Sequence, residues 1–227
     1  MERTEHFDWN DGWAFTPQFT PALLEAAYDG PPLEPVRLPH TVKTLPFNYC
    51  NENDYQLVSG YRRVFTAPKS WEGRVLLLTF GAAAHEATVY CNGQRVGHHA
   101  CGYTAFTVNL TGAVRLGEEN VLAVRCDSRE TLDIPPFGGQ TEALTYGGLY
   151  RGAWLEVKEN AWLRDVFIQA GMDGAFRIYS AAEGETVGCA LEAEIRAPSG
   201  RRAAYMGELS LPISGTLNGV QPWSCEH

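Results

Sequence analysis

The chain has 227 residues, which is enough for one large or two small domains. Hydrophobic residues make up 44% and charged residues 20%, as is normal for a globular core, and the formal net charge is −9. Because a negative field repels phosphate backbones, this charge argues against nucleic acid as a partner and suits a neutral ligand.

The opening sequence, MERTEHFDWNDGW, has no apolar signal segment. No run approaches the roughly 20 apolar residues that span a bilayer. We therefore expect no membrane association and a cytoplasmic location.

A short helix is predicted first, at residues 21–28, with Thr20 as its cap and Pro21 in its first turn. Period-two alternation, rich in β-branched and aromatic residues, then predicts strands. They cover residues 61–66, 74–80, 87–91, 94–98, 104–110, 121–127 and 149–157. Asn92 and Gly93 predict a type I′ hairpin, because both central residues of that turn need positive φ.

Two long segments without strand signals, residues 30–60 and 128–148, interrupt this pattern. Loops of that length are uncommon in compact domains unless they bind something or are disordered. Many short strands with Gly and Pro between them indicate a jelly-roll β-sandwich with these loops at its rim.

A second block begins near residue 160, with strands predicted at 163–169, 176–180, 187–197 and 203–211. In the third strand, apolar residues alternate with polar ones at Cys189, Leu191, Ala193 and Ile195. The block is short for an immunoglobulin-like sandwich, which takes about 100 residues. The predicted fold is therefore all-β, with a jelly roll at 1–158 and an incomplete immunoglobulin-like domain at 159–227.

The six cysteines show no dense disulfide framework, and those in apolar runs are expected to be free thiols in a reducing compartment. Four possible metal ligands lie close together: Cys91, His98, His99 and Cys101. Their spacing is wider than in zinc pairs, and strand alternation points neighbours to opposite faces. We therefore predict no metal, and without a Walker or Rossmann loop, no cofactor.

Six motifs occur in a fixed order: NDGWAF (10–15), VRLPHTV (36–42), SGYRRVFTAP (59–68), TVYCNGQRVGHHACGYTAF (88–106), GEENVLAVRCDS (117–128) and GGLYRGAWLEV (147–157). Together they resemble the sugar-binding domain of glycoside hydrolase family 2, which includes β-galactosidases, β-glucuronidases and β-mannosidases. The terminal PWSCEH (222–227) is similar to a Trp-Ser-Pro-Glu stretch near the end of the family's immunoglobulin-like domain, with Cys225 replacing the Pro.

The resemblance implies a TIM barrel that would follow this chain and carry two catalytic glutamates. We therefore expect no catalytic residue here. Glu52, in the sequence NEN, imitates the family's Asn-Glu pair but falls in a jelly-roll loop.

The resemblance also implies that rim loops place an Asn and an Asp near the sugar's hydroxyls. Asn48 and Asp127 are the candidates, with Asp133 as a further substrate-binding residue and Asn51 and Asp54 as fallbacks. Amides and carboxylates suit this work because a hydroxyl both donates and accepts hydrogen bonds. The alternative is that Asn48 and Asp127 only cap turns.

Aromatic residues offer a second possible sugar contact. Trp9, Trp13, Tyr49 and Tyr55 could form a stacking platform, although core packing is the favoured interpretation. His40, in the LPH motif, is expected to make a structural hydrogen bond.

Three functions remain open at this point. The first is a non-catalytic fragment of a family 2 glycosidase, with a β-galactoside as the default substrate of the parent. The second is a stand-alone carbohydrate-binding module. The third is a structural interaction domain, whose uncovered apolar surface would favour a homo-oligomer.

Overall fold

A computed structural model describes residues 4–44, 46, 48, 51–135, 137, 146–197, 200–209 and 211–220. These residues form strands almost throughout, which confirms the predicted all-β class. The chain divides into two compact units, Met1–Glu159 and Asn160–His227. Within the described ranges, no helix is long and apolar enough to cross a membrane.

The first unit is a sandwich of two antiparallel sheets. Its described strands are β1 (Glu5–Asp8), β2 (Trp13–Thr16), β3 (Glu34–Val36), β4 (Val58–Thr66), β5 (Val75–Phe80), β6 (Glu86–Cys91), β7 (Gln94–Ala100), β8 (Phe106–Asn109), β9 (Glu119–Asp127) and β10 (Ala153–Lys158). One sheet has the order β1-β10-β5-β8 and the other β3-β2-β4-β9-β6-β7.

The core of this unit lies between the two sheets. Leu78 and Leu155 come from the smaller sheet, and Tyr61, Val89 and Val124 from the larger one, and all five are fully buried. Alternation along β10 turns Ala153, Leu155 and Val157 inward, as the period-two pattern predicted, whereas β5 and β9 are buried along most of their length. The predicted jelly-roll sandwich is confirmed.

The hairpin prediction is confirmed as well, with φ of 50° at Asn92 and 80° at Gly93. The helix predicted at residues 21–28 begins at Pro21 as expected but is shorter and of a different type. Only a 3-10 helix forms, at Pro21–Leu24, and Thr20 makes no side-chain cap. The Arg62 guanidinium donates to the carbonyls of Glu25 and Ala26, at 3.0 and 3.1 Å, and so engages backbone acceptors that a longer helix would use.

Several predicted boundaries also shift. The last strand of the unit begins at Ala153 rather than at residue 149, and the strand predicted at 104–110 shortens to Phe106–Asn109. The short strands at Glu5–Asp8 and Glu34–Val36 were not predicted. They are too brief to show a clear period, and pairing with their neighbours defines them.

The second unit contains β11 (Ala161–Ala170), β12 (Ala175–Gly184), β13 (Leu191–Arg196), β14 (Arg202–Gly207) and β15 (Ile213–Thr216) among its described residues. The sheets are β11-β12-β15 and β13-β14, as expected for part of an immunoglobulin-like sandwich. Its buried apolar core is small: Phe176, Ile178, Leu191 and Ile213.

One prediction in this unit needs correction. Leu191 is buried and Glu192 is exposed, as the alternation required, but Cys189 lies before the strand and is exposed. Residues 186–189 form a turn instead, closed by the Cys189 amide on the Thr186 carbonyl at 3.1 Å, and Gly188 in it adopts a positive φ. The strand at Ile213–Thr216 was not predicted.

Candidate functional site

One end of the larger sheet brings three strands together at Asp127. This residue ends β9 and lies opposite Val58, the first residue of β4, and Glu86, the first residue of β6. Its carbonyl accepts from the His85 amide at 2.7 Å. The next residue, Ser128, donates its amide to the carbonyl of Leu57 at 2.9 Å. Asp127 is thus held at the sandwich rim, where the chain leaves the sheet.

The Asp127 carboxylate is clamped by two arginines. Arg129 donates Nε to Oδ1 at 2.8 Å and a terminal nitrogen to Oδ2 at 2.6 Å, and its amide also reaches Oδ1 at 3.2 Å. Arg125 adds a bond to Oδ2 at 2.9 Å. Burial alone would raise the pKa of Asp127, but the hydrogen bonds and charge of Arg129, helped by Arg125, lower it. The group is therefore a fixed anion at neutral pH.

This clamp decides what Asp127 can do chemically. A carboxylate offers about four acceptor sites, and here it accepts four bonds from its own chain. An anion of lowered pKa is unsuited to protonate a leaving group. Its evident effect is to orient the Arg129 guanidinium, whose side chain stays about half exposed.

A cavity of about 340 Å³ adjoins this pair. Such a volume falls at the lower end of the range for small-molecule sites. Its lining is rich in charge and comprises Glu86, Asp127, Arg129, Glu130, Thr131 and Ile134. Glu86 also bonds His98 Nε2 at 2.9 Å, so the second carboxylate is positioned as well.

The predicted site residues occupy different places. Asp127 lines the cavity, and Asp133 is exposed in the segment between the lining residues Thr131 and Ile134. Asn48 is exposed in a bend, and no described contact joins it to the cavity. Their role in binding stays a prediction.

The fallback residues show local roles. Asp54 accepts from Lys43 Nζ at 2.7 Å, and Asn51 Oδ1 accepts from the Asn53 amide at 3.1 Å, which is a turn cap. Glu52 is the first residue of a short 3-10 helix, Glu52–Asp54, and does not lie at the end of a β-strand.

Sequence reasoning missed Glu86, Arg129 and His85. Glu86 reaches the site only through the register of β6 on β9, which the sequence does not display. Arg129 did carry a signal: it follows Asp127 at a spacing of two, which suits a local carboxylate–guanidinium clamp.

His85 lies behind the rim and is almost fully buried. Neither ring nitrogen has a hydrogen-bond partner among the described residues. A Cβ at Gly102 would lie 2.9 Å from its Nδ1, so only glycine permits this close approach. Burial lowers the pKa of His85, chiefly by desolvation, although Glu130 and Asp127 act in the opposite direction. The ring is thus neutral at pH 7.

A second polar tie supports the rim from the sandwich interior. His40 Nδ1 lies 3.0 Å from the Tyr61 hydroxyl, which also accepts from the Leu149 amide at 3.3 Å. The His40 amide in turn donates to the Leu149 carbonyl at 2.9 Å. The predicted structural hydrogen bond of His40 is confirmed, and it fixes the segment preceding β10 to β4.

The aromatic side chains favour core packing over a sugar platform. Trp9, Trp13 and Tyr55 are buried in the core of the first unit, which confirms the favoured interpretation. Tyr49 lies outside the described residues.

Cysteine and histidine side chains near the hairpin have other partners. His99 Nε2 lies 2.9 Å from Thr104 Oγ1 and stacks on Phe106, while Cys91 is buried. In the part of the chain that the structure describes, no three His, Cys, Asp or Glu side chains gather as metal ligands. Four cysteines are free thiols there, whereas Cys50 and Cys225 fall outside it.

The first unit is thus an antiparallel β-sandwich with a charged cavity at its rim. Residues 19–156 match the family model described as glycosyl hydrolases family 2, sugar binding domain. The chain belongs to glycosyl hydrolase family 2.

Curated relatives include a β-galactosidase of Thermoanaerobacter pseudethanolicus, 36% identical over 161 residues, which covers 70% of this chain and 22% of the relative. A β-glucuronidase of Bacteroides fragilis is 33% identical over 125 residues, covering 55% of this chain and 18% of the relative. The chain thus spans about a fifth of the length of the curated relatives it matches.

A solved structure of Bacteroides uniformis β-glucuronidase 2, covalently bound to cyclophellitol-6-carboxylate aziridine, superposes with a TM-score of 0.75 at 26% identity. The match covers 95% of this chain and 27% of that one. The similarity therefore extends through both units.

Proposed function

We propose that this chain supplies non-catalytic domains of a family 2 glycosidase that acts on β-galactosides or related β-glycosides. The jelly roll at 1–158 would shape the sugar site through its rim loops, and an immunoglobulin-like domain would follow at 159–227. The observation that carries this proposal is the cavity beside Asp127, where a buried carboxylate holds an exposed guanidinium in place.

Arg129 is the group best suited to contact a sugar. A guanidinium has five N–H donors, and Asp127 engages its Nε and one terminal nitrogen. The clamp fixes its orientation, which lowers the entropy lost when a hydroxyl binds. In this role Asp127 positions Arg129.

The charges around the cavity favour a neutral sugar over a uronic acid. The lining carries three carboxylates, from Glu86, Asp127 and Glu130, against one guanidinium from Arg129. Arg125 adds a second positive charge behind Asp127, which leaves an excess of one negative charge. A uronate carboxylate would meet repulsion there, which supports a galactoside rather than a glucuronide.

Ligand-observed NMR with the full chain tests this assignment. We expect methyl β-galactoside to bind weakly, with a Kd in the millimolar range or above, because an open rim encloses little of the ligand. Methyl β-glucuronide is expected to bind more weakly still. Arg129→Gln should abolish the signal, whereas Arg177→Gln, an exposed arginine of the second unit, should not. Binding that survives Arg129→Gln unchanged would contradict the proposed site.

The proposed lack of catalysis rests on the chemistry of the carboxylates. Retaining hydrolysis needs one protonated and one ionised carboxyl group about 5 to 5.5 Å apart. Arg129 and Arg125 hold Asp127 ionised, so it cannot protonate a leaving group, and their hydrogen bonds occupy its two oxygens, which leaves it unsuited to attack the sugar. We expect the isolated chain to release no nitrophenol from nitrophenyl β-galactoside, β-glucuronide or β-mannoside. Turnover that a single carboxylate substitution removes would overturn this part of the proposal.

A stand-alone carbohydrate-binding module is the second candidate, since the cavity is formed entirely within the first unit. Micromolar affinity for a simple sugar would favour it over a rim that needs other domains. We propose a cytoplasmic location for either function, because free thiols are typical of a reducing compartment and four described cysteines are free.

A further inference from the structure

One side of the edge strand β11 is unpaired among the described strands. The strand runs for ten residues, Ala161–Ala170, and β12 occupies only one of its sides. No other described strand pairs with it. It contains neither proline nor lysine, and its two charged residues, Arg164 and Asp165, lie at a β-bulge. Val166, Phe167 and Ile168 are 47%, 59% and 62% exposed.

A β-bulge at Leu163–Asp165 sets which side chains share a face. Trp162 lies opposite Glu183 and Phe167 opposite Tyr179, so both are on one face of the sheet. In a regular strand these two residues, five apart, would point to opposite faces. The bulge equally places Leu163 and Val166 together on the other face, because they lie opposite Ala182 and Ser180.

Because of the bulge, two copies of the strand AWLRDVFI (161–168) can pair antiparallel so that side chains on the same face of the sheet meet each other. We propose that β11 pairs antiparallel with β11 of a second copy of this chain, about a two-fold axis beside Arg164 and Asp165. Trp162 then faces the partner's Phe167, and Leu163 faces the partner's Val166. At the ends, Ala161 faces the partner's Ile168. Each pair occurs twice, as a two-fold axis requires.

The charges at the centre fit the same arrangement. Antiparallel pairing about this axis brings Arg164 beside the partner's Asp165, and the reverse. In the single chain Arg164 bonds Glu183 at 2.8 Å, with both side chains well exposed. Such a surface pair contributes little stability, so Arg164 is free to exchange partners.

A second copy of this chain is favoured as the partner over an unrelated protein, because the same strand supplies a matching residue for each position from 161 to 168. The apolar residues match across both faces, and the opposite charges meet at the axis. The result is a continuous six-stranded sheet, formed by β15-β12-β11 of each subunit. This pairing is independent of the proposed sugar site, which belongs to the first unit.

Sedimentation of the full chain, from low to high micromolar concentration, tests the pairing. We expect a reversible monomer–dimer equilibrium. Phe167→Lys should weaken it by about tenfold or more, because a lysine replaces the apolar contact at the strand edge. Val187→Lys, at a fully exposed residue of the same unit outside β11, is the matched control and should leave the equilibrium unchanged.

A charge exchange tests the register itself. Arg164→Asp places like charges at the axis and should weaken the dimer, and adding Asp165→Arg should restore it. Circular dichroism checks that each variant is folded. A chain that stays monomeric throughout would overturn the inference. So would a dimer that Phe167→Lys and Arg164→Asp affect no more than Val187→Lys does.

Discussion

Replacement of Tyr61 by Phe tests the polar tie that supports the rim. Tyr61 is fully buried, and its ring packs 5.2 Å from Phe15, a contact that phenylalanine keeps. The lost hydroxyl leaves the buried Leu149 amide and His40 Nδ1 without their partner. A stranded buried polar group costs about 1–3 kcal/mol, and His40, which is partly exposed, can turn to water. We therefore expect Tyr61→Phe to lower the free energy of unfolding of the first unit by about 2 kcal/mol.

For a chain of this length, that loss corresponds to a fall in Tm of about 4–8 °C. Urea unfolding followed by tryptophan fluorescence measures the loss in the free energy of unfolding, with Tyr103→Phe as the control. Tyr103 is half exposed, so removal of its hydroxyl should change stability by less than about 0.5 kcal/mol. A Tyr61→Phe variant as stable as the control would show that this hydroxyl does not hold the rim together.

Five further substitutions have defined outcomes. Because the pKa of Asp127 is lowered on folding, its contribution to stability is present above the unfolded pKa of about 3.9 and is lost as pH falls through the folded value. Asp127→Asn should therefore destabilise the chain at pH 7. As the pH is lowered, the urea midpoint of unfolding of this variant should fall less than that of the unmodified chain. Asn92→Ala removes three side-chain hydrogen bonds and should cost about 3 kcal/mol. Gly93→Ala, whose Cβ meets no atom within 4 Å, should cost only about 1–2 kcal/mol of backbone strain in the same urea assay. Leu191→Ala should lower the free energy of unfolding of the second unit alone by about 2–5 kcal/mol, whereas Leu155→Ala should lower that of the first unit alone. Calorimetry, which follows the transition of each unit, checks both.

Much of the fold could be predicted because local patterns determine it. The alternation around Leu155 and the Asn92–Gly93 turn are each readable within a few residues, and both agree with the structure. The helix predicted at 21–28 stops at Leu24, and Arg62, on a distant strand, binds the next two backbone carbonyls, those of Glu25 and Ala26. Propensity is a weak guide where such contacts compete.

The candidate site was less predictable for a related reason. Asp127 could be placed at a strand end from the sequence, but its clamp by Arg125 and Arg129 depends on side-chain geometry beyond the strand. Glu86 joins the cavity only because β6 lies beside β9 in one register. A sequence indicates strands well, yet it does not state which strand ends meet.

We propose that the rim around Asp127 binds the sugar. The most direct measurement is a ¹H–¹⁵N NMR titration of the full chain with methyl β-galactoside. The amides of Glu86 and of residues 129–134 are predicted to shift together with one dissociation constant, while those of the second unit stay fixed. Shifts confined to other surfaces, or no shift at the rim at saturating sugar, would contradict the claim.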